Sequence, residues 1–290
     1  MWNSICQKLS DQLNKPIAYR SHRSVSGGCI HTASALETSD GYFFIKANQA
    51  DRLTMFSAEA QGLEAIRATD TIRCPEVYFH DLIDDQAVLV MEYIPMESAQ
   101  PGSMQELGAQ LATMHQAEME YFGWSIDNNI GLTSQKNSRE TDWITFFRKH
   151  RLEFQMNLCE LKGLCIPGKE TLLKHLGEFF EDYAPHPSLL HGDLWGGNVG
   201  FDEDGHPILF DPGCYFGDRE ADLAFTEMFG GFSGEFYKAY EESYPIHEGY
   251  SHRKRLYNIY HELNHFYLFG GGYGNQAKET VSFLLSLLDH

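Results

Sequence analysis

The sequence predicts an α+β fold of two lobes, in which a small antiparallel sheet precedes a larger, mostly helical part. The first third of the chain alternates short strand-forming runs with one helical segment, and after Pro95 the apolar residues repeat with helical spacing. No internal repeat, low-complexity tract or long Gly, Ser or Pro linker separates the two parts. We therefore expect two packed lobes, residues 1–94 and 95–290, joined by a short hinge near residues 91–96.

Two strands and one helix define the small lobe. Residues 42–46 follow a Ser-Asp-Gly turn and are rich in strand formers, and residues 87–91 form a short apolar run typical of a buried strand. Between them, residues 54–68 show the apolar spacing of a helix. Glu59 lies on the apolar face of that helix, where a carboxylate without a partner is costly. The pattern therefore predicts a cation next to Glu59.

The second part begins with a clearly marked helix. Residues 103–106 read Ser-Met-Gln-Glu, which is a capping box, and the apolar positions that follow have helical spacing. These apolar positions are expected in the core: Met104, Leu107, Leu111 and Met114. Further helical periods predict helices over residues 141–160, 170–183, 235–243, 253–267 and 277–289.

The composition is that of an acidic globular chain. Of the 290 residues, 42% are hydrophobic and 13% aromatic, and the formal net charge is −19. Because nucleic-acid affinity depends on Lys and Arg neutralising phosphates, we expect no nucleic-acid partner. No apolar run reaches the roughly 20 residues that cross a bilayer, and the first residues do not resemble a secretion signal. We expect a soluble, cytoplasmic protein that does not bind a membrane.

The cysteines indicate neither a zinc site nor a disulfide framework. They are scattered singly, without a C-x-x-C pair, so reduced thiols in a reducing compartment are the expectation. The six positions are Cys6, Cys29, Cys74, Cys159, Cys165 and Cys214.

A predicted hairpin brings together the side chains with the clearest chemistry. Asp204-Gly205 between two apolar runs favours a two-residue turn, and pairing outward from it places Asn198 opposite Asp211. An amide oxygen and a carboxylate are hard ligands suited to Mg²⁺. Asp193 lies on the loop that enters the hairpin, where it could orient a hydroxyl near the metal.

The spacing of these residues matches a known phosphoryl-transfer set. An Asp, an Asn five residues later and a metal-binding Asp after the next strand are the arrangement described for protein kinases. That set requires a strand Lys that holds the nucleotide phosphates and a helix Glu that pairs with it. Lys46 and Glu59 meet both requirements, and each accounts for the burial of the other. Residues 26–30 offer a flexible glycine turn whose N–H groups could approach phosphates.

The sequence resembles the fructosamine (ketosamine) 3-kinases, which are related to aminoglycoside phosphotransferases and choline kinases. The most specific blocks read HGDLWGGN at 191–198 and DPGCYFGDREADLA at 211–224. Shorter matching blocks lie at residues 26–30, 59–63, 91–93, 122–124, 127–131, 135–137 and 226–232. The resemblance implies a protein-kinase-like fold with a five-stranded antiparallel sheet. It also implies ATP-dependent phosphorylation of the sugar 3-hydroxyl of ketosamines, the glycation adducts of amines and protein lysines.

The resemblance also implies roles for individual residues. Asp193 would accept the proton of the acceptor hydroxyl, and Asn198 and Asp211 would bind Mg²⁺. Lys46 would contact the ATP phosphates, with Glu59 as its ion-pair partner.

The nucleotide would be held by two further segments. The hinge would meet adenine through backbone groups of Met91, Glu92, Tyr93 and Ile94, and a loop containing Gly27 and Gly28 would cover the phosphates. Two departures from the pattern are visible. The loop has Ser26 where relatives often carry another glycine, and Pro-Gly follows Asp211 where protein kinases place Phe-Gly. The second departure predicts that activation-loop switching is absent.

Several alternative interpretations stay open at this point. The acceptor could be an aminoglycoside or a choline-like alcohol, or the chain could be a nucleotide-binding pseudokinase without turnover. His191 and Asp193 could be ligands of a metallohydrolase, and the Lys46–Glu59 pair could be purely structural. Trp195 could pack the catalytic loop or line the acceptor pocket. Asp222 is interpreted as a buried brace for that loop.

The sequence leaves two oligomeric states open, a monomer and a redox-linked dimer. Cys29 follows the two glycines of the phosphate loop, where a reactive thiolate could form a disulfide with its copy in another molecule. The competing interpretation is an inert thiol packed beneath the sheet.

Overall fold

A computed structural model describes residues 1–25 and 31–288. The chain divides into two compact units, of which the first contains Met1–Ser103 and Gly200–Asp211 and the second contains Met104–Val199 and Pro212–His290. The predictions for Gly27, Gly28 and Cys29 lie outside the described residues.

The first unit is built on the five-stranded antiparallel sheet that the sequence predicted. The strands are β1 (Tyr19–Ser24), β2 (Thr32–Thr38), β3 (Gly41–Gln49), β4 (Val77–Ile83) and β5 (Gln86–Glu92). Their order in the sheet is β1-β2-β3-β5-β4. The predicted helix is α2 (Leu53–Ala68). A second helix, α1 (Trp2–Leu13), was missed, although its apolar residues repeat at helical spacing.

The alternation of strand β3 decides which side chains meet each helix. Phe43 and Ile45 belong to a buried cluster with Ile5 and Leu9 of α1. Since successive side chains of a strand point to opposite faces, Lys46 lies on the other face of the sheet from α1. The central position of β3 in the sheet also buries Lys46, which is only 6% exposed.

The second unit is mostly helical, and the predicted helices are present with shifted bounds. The helices are α3 (Ser103–Met114), α4 (Trp143–Phe147), α5 (Phe154–Leu161), α6 (Lys169–Lys174), α7 (Glu220–Thr226), α8 (Gly234–Ser243), α9 (Tyr250–Phe269) and α10 (Tyr273–Leu288). A π-helical turn, Arg148–Glu153, joins α4 to α5, and a 3-10 segment, Leu176–Phe180, follows α6. Helix α7 was not predicted. Aromatic side chains dominate the core, including Trp143, Phe146, Phe147 and Tyr257.

In the part of the chain that the structure describes, three short strand pairs complete the fold. They are β6 (Asn128–Ile130) with β7 (Thr133–Gln135), β8 (Ser188–Leu190) with β11 (Tyr215–Gly217), and β9 (Val199–Phe201) with β10 (Pro207–Leu209). Among the described residues, no helix combines the length and the apolar character that crossing a membrane requires. The five described cysteines are free thiols, and Cys165 is the exposed one among them.

Candidate active site

Lys46 of β3 contacts two carboxylates within the first unit. Its Nζ lies 2.5 Å from Oε1 of Glu59 on α2, and it also donates to Oδ1 of Asp211. Burial alone would lower the pKa of Lys46, but the two carboxylates raise it above its ordinary value. Lys46 is therefore a firmly charged cation, and the predicted pairing of Lys46 with Glu59 is present.

Glu59 and Asp211 differ in exposure. The Glu59 side chain is 11% exposed, and burial raises the pKa of Glu59 while Lys46 opposes the rise. The Asp211 side chain is 40% exposed, and its φ of 57° lies in the left-handed region that side-chain-bearing residues rarely adopt. Such backbone strain is typical of functional positions. Asp211 can therefore offer a carboxylate oxygen to a further ligand.

The hairpin that precedes Asp211 forms, but the predicted register is wrong by one residue. The N–H of Gly205 donates to the carbonyl of Asp202 at 3.0 Å, and the N–H of Asp202 donates to the carbonyl of His206 at 3.0 Å. Gly205 has a φ of 85°. This is a three-residue loop with a type I turn and a glycine bulge, not a two-residue turn. The register therefore differs by one residue from the one that would place Asn198 directly opposite Asp211.

Arg73 ties this hairpin to the predicted hinge. Its guanidinium donates to Asp202 at 2.9 Å and to Glu92 at 2.9 Å. Its carbonyl accepts from the N–H of Leu209 at 2.9 Å. Sequence reasoning missed Arg73, because nothing local indicates that one side chain joins two distant segments.

The predicted adenine-contacting residues lie at the end of β5. Met91 and Ile94 are buried, and the Glu92 side chain is occupied by Arg73. The Tyr93 hydroxyl accepts from Arg23 at 2.6 Å. The N–H of Glu92 donates to the carbonyl of Glu76 at 2.8 Å, so the remaining backbone groups are what the segment can offer to a planar ligand.

The second unit contains Asp193 and Asn198. The amide nitrogen Nδ2 of Asn198 donates to the Asp193 carbonyl at 2.8 Å and to Oδ2 of Asp193 at 3.1 Å. In the described part of the chain both side-chain hydrogen bonds of Asn198 use Nδ2, so Oδ1 is left for a cation. The spacing of five residues thus brings these two side chains together.

A buried carboxylate holds the loop that carries Asp193. Asp222, on α7, accepts from the N–H of His191 at 2.7 Å and from the N–H of Gly192 at 2.9 Å. His115 contacts Asp222 at 3.2 Å and is itself held by the Tyr240 hydroxyl at 2.8 Å. Asp222 therefore acts as the predicted brace, whereas the support from His115 and Tyr240 was missed.

Gly192 is required in this loop. Its φ is 79°, and a Cβ atom there would lie 2.2 Å from the carbonyl oxygen of Gly213. The two segments can approach this closely only because Gly192 has no side chain. Their contact is completed by the N–H of Gly213, which donates to the His191 carbonyl at 2.9 Å.

Trp195 follows Asp193 by two residues and packs against the same loop, which is one of the two roles considered for it. Its ring packs over Gly197, yet 39% of the side chain is exposed. The exposed side meets Phe229 edge to face at 6.0 Å, and Phe229 lies 5.0 Å from the His265 ring. An aromatic surface therefore extends from the loop of Asp193 across the second unit.

Comparison with known proteins identifies close relatives over the whole chain. The family model for fructosamine kinase matches residues 1–287. A Synechocystis protein named a probable ketoamine kinase is 42% identical over 281 residues, covering 97% of this chain and 95% of that protein. The chloroplast protein-ribulosamine 3-kinase of Arabidopsis thaliana is 40% identical over 271 residues, covering 91% of this chain and 82% of that protein.

Solved structures agree with the fold. A crystal structure of a Haemophilus somnus protein assigned as a fructosamine-3-kinase superposes with a TM-score of 0.91 at 29% identity, covering 98% of each chain. The choline kinase LicA of Streptococcus pneumoniae has a TM-score of 0.63 at 16% identity, covering 97% of each chain. The second likeness concerns the fold alone, which is the protein-kinase-like fold that the sequence predicted.

Proposed function

The chain belongs to the fructosamine kinase family, and on that premise we propose that it transfers the γ-phosphoryl group of ATP to the sugar 3-hydroxyl of ketosamines. The observation that carries the proposal is the buried Lys46, held as a cation between Glu59 and Asp211. A phosphate-binding lysine needs this constant charge and a fixed position. Members of this family are ATP-dependent phosphotransferases. The proposal extends to the acceptor, to the metal ion and to the role of each site residue.

Residues 1–94 would form the nucleotide-binding lobe. Lys46 would contact the ATP phosphates, and Glu59 would keep its Nζ in place. Adenine would contact backbone groups of Met91, Glu92, Tyr93 and Ile94, because the side chains of Glu92 and Tyr93 already have partners. Gly27 and Gly28 would cover the phosphates.

Asn198 and Asp211 would be the Mg²⁺ ligands. Both described side-chain hydrogen bonds of Asn198 use Nδ2 and leave its amide Oδ1 available, and the Asp211 carboxylate is 40% exposed, so the donor set fits a hard divalent cation. When bound, Mg²⁺ would neutralise charge on the transferred phosphate. Lys46 would add a second positive charge, which favours the transition state by electrostatic stabilisation.

Asp193 would position the acceptor hydroxyl and receive its proton. The hydrogen bond from Asn198 to Oδ2 orients this carboxylate, and the brace from Asp222 fixes the loop. The proton moves from the sugar hydroxyl to Asp193 as the oxygen bonds to the γ-phosphorus and ADP leaves. Most of the catalytic effect would come from holding the reactants in line.

The aromatic surface of Trp195, Phe229 and His265 would bind the acceptor. Flat rings suit the apolar face of a sugar. The ribulosamine 3-kinase name of the Arabidopsis relative supports the same acceptor class.

A panel of acceptors tests the proposal. ADP release is measured with ATP and Mg²⁺ and with fructosyl-lysine, ribulosyl-lysine, an aminoglycoside or choline. We expect turnover with the ketosamines only. Turnover with another acceptor would replace the ketosamine assignment, and nucleotide binding without any turnover would indicate a pseudokinase.

A further inference from the structure

Three amide side chains are buried in and beside the small β6–β7 hairpin of the second unit. Asn128 is 6% exposed, and Gln135 and Asn137 are each 1% exposed. Neither the proposed nucleotide contacts nor the proposed metal ligands use them. Buried amides are costly unless their donors and acceptors are bonded, so their partners indicate why they are there.

Two of the amides hold the backbone that follows Asp211. Nδ2 of Asn128 donates to the Cys214 carbonyl at 2.7 Å, and Nε2 of Gln135 donates to the Gly213 carbonyl at 3.0 Å. Gly213 in turn donates its N–H to the carbonyl of His191. The hairpin therefore holds the segment leading out of Asp211 and, through it, the start of the loop that carries Asp193.

The three amides also form hydrogen bonds with one another, in which Gln135 and Asn137 donate and Asn128 accepts. Oδ1 of Asn128 accepts from Gln135 at 2.8 Å and from Asn137 at 2.9 Å, which leaves only its Nδ2 to face Cys214. The Tyr260 hydroxyl donates to Oε1 of Gln135 at 2.9 Å and so fixes the second amide. Every amide orientation is thus determined by its neighbours.

Arg151 fixes the orientation of the Asn137 amide. It is fully buried in the π-helical turn and donates to the Lys136 carbonyl at 2.5 Å and to Oδ1 of Asn137 at 2.8 Å. Arginine can only donate, so Asn137 must present its oxygen to Arg151 and its nitrogen to Asn128. Within the described residues, the hydrogen-bond acceptors of Arg151 are carbonyl oxygens and include no carboxylate. Its guanidinium also lies over the Tyr215 ring, 4.0 Å from the ring centroid.

The charges of Arg151 and Asp193 both act on the hydroxyl group of Tyr260. Burial raises the pKa of Tyr260, while the Arg151 charge lowers it and the Asp193 charge raises it. π-helical turns of this kind are frequent at functional sites.

We propose that Arg151, Asn137, Asn128 and Gln135, here called the amide clamp, are positioning residues for phosphoryl transfer. The clamp fixes the backbone at Gly213 and Cys214, and so the entry to the catalytic loop at His191. This inference rests on the proposed kinase activity.

The test compares the same substitution at two neighbouring residues. Asn128→Asp replaces the donor to Cys214 with an oxygen at almost unchanged size. Asn129→Asp is the matched control, since the Asn129 amide is half-buried and, among the described residues, donates to the Thr133 carbonyl alone, at 3.4 Å. We expect Asn128→Asp to lower kcat about 10–100-fold, the range for residues that orient a ligand, with KM for ATP within about twofold. Amide hydrogen exchange of the 212–217 peptide should accelerate in Asn128→Asp and not in Asn129→Asp.

Equal kcat and equal exchange in the two variants would overturn the amide clamp, as would a fall in activity that only matches the fraction unfolded. If Asn128→Asp does not fold, Tyr260→Phe carries the same test, because it removes one donor to Gln135 and leaves the ring. Unchanged kcat and exchange in that variant would also overturn the inference. If the parent phosphorylates no ketosamine, the proposed function fails, and hydrogen exchange alone then decides whether the amide clamp holds this backbone.

Discussion

Replacing Glu59 with Gln removes one charge from a buried ion pair and hardly changes the size of the side chain. The Lys46 and Glu59 side chains are only 8% and 11% exposed. Removing one partner of a buried pair typically costs about 3–5 kcal/mol, because the other charge is left without a counter-ion. Here Lys46 keeps its contact with Asp211. We therefore expect the free energy of unfolding to fall by about 1.5–3 kcal/mol, the range for one hydrogen bond to a charged group.

The same substitution should affect catalysis through the position of Lys46. Without Glu59, the ammonium group would follow Asp211 instead of staying in place for the ATP phosphates. We expect kcat/KM for ATP to fall about 10–100-fold. Urea unfolding and steady-state kinetics measure the two effects, and Glu64→Gln is the control because Glu64 is exposed on the same helix. If Glu59→Gln behaves like Glu64→Gln in both assays, the ion pair has no functional role.

Three further predictions concern other residues. Asp193→Asn should lower turnover by about 10²–10⁴ while ATP binding, measured by calorimetry, is retained; parallel loss of binding would indicate a metal or structural role. Asp211→Ala should raise the Mg²⁺ concentration needed for half-maximal activity more than Asn198→Ala does, because it removes a charged ligand; equal Mg²⁺ titrations would contradict the assignment. Burial raises the pKa of Glu262 from 4.5 to about 6, so its ionisation destabilises the fold as pH rises from about 4.5 to 6. Glu262→Gln should therefore stabilise the protein by about 2 kcal/mol more at pH 8 than at pH 4, measured by urea unfolding; a pH-independent effect would refute this.

The part of the site that depends on local pattern was predictable from the sequence. Strand alternation places Lys46 opposite the apolar face of β3, and helical spacing buries Glu59, so each charge requires the other. The five-residue spacing of Asp193 and Asn198 likewise fixes their contact. These inferences need only the periodicity of strands and helices and the spacing of residues within a short loop.

The hairpin shows where a local signal is ambiguous. A glycine in the left-handed region suits both a two-residue turn and a type I turn followed by a bulge. The side chain of Asp202 decides between them, because its Oδ1 accepts from the N–H groups of Asp204 at 3.1 Å and His206 at 2.9 Å. That stabilises the longer loop and shifts the register by one residue.

Long-range contacts were beyond sequence reasoning. The Asn128 amide bonds to the carbonyl of Cys214, which is 86 residues away, and Asp222 holds the N–H of His191 from a helix that was not predicted. Asn, Asp and Gln at such positions give no periodic signal, since their partners are backbone groups of distant segments. Only the tertiary structure identifies them.

The position of the new phosphate on the sugar identifies the reaction that the protein catalyses. Fructosyl-lysine is incubated with ATP and Mg²⁺, and the product is examined by mass spectrometry and by phosphorus–proton NMR correlation, with Asp193→Asn in parallel. We expect one phosphate on the sugar O3 with the parent protein and almost none with Asp193→Asn. A phosphate on another oxygen, equal product from both proteins, or no product from the parent would contradict it.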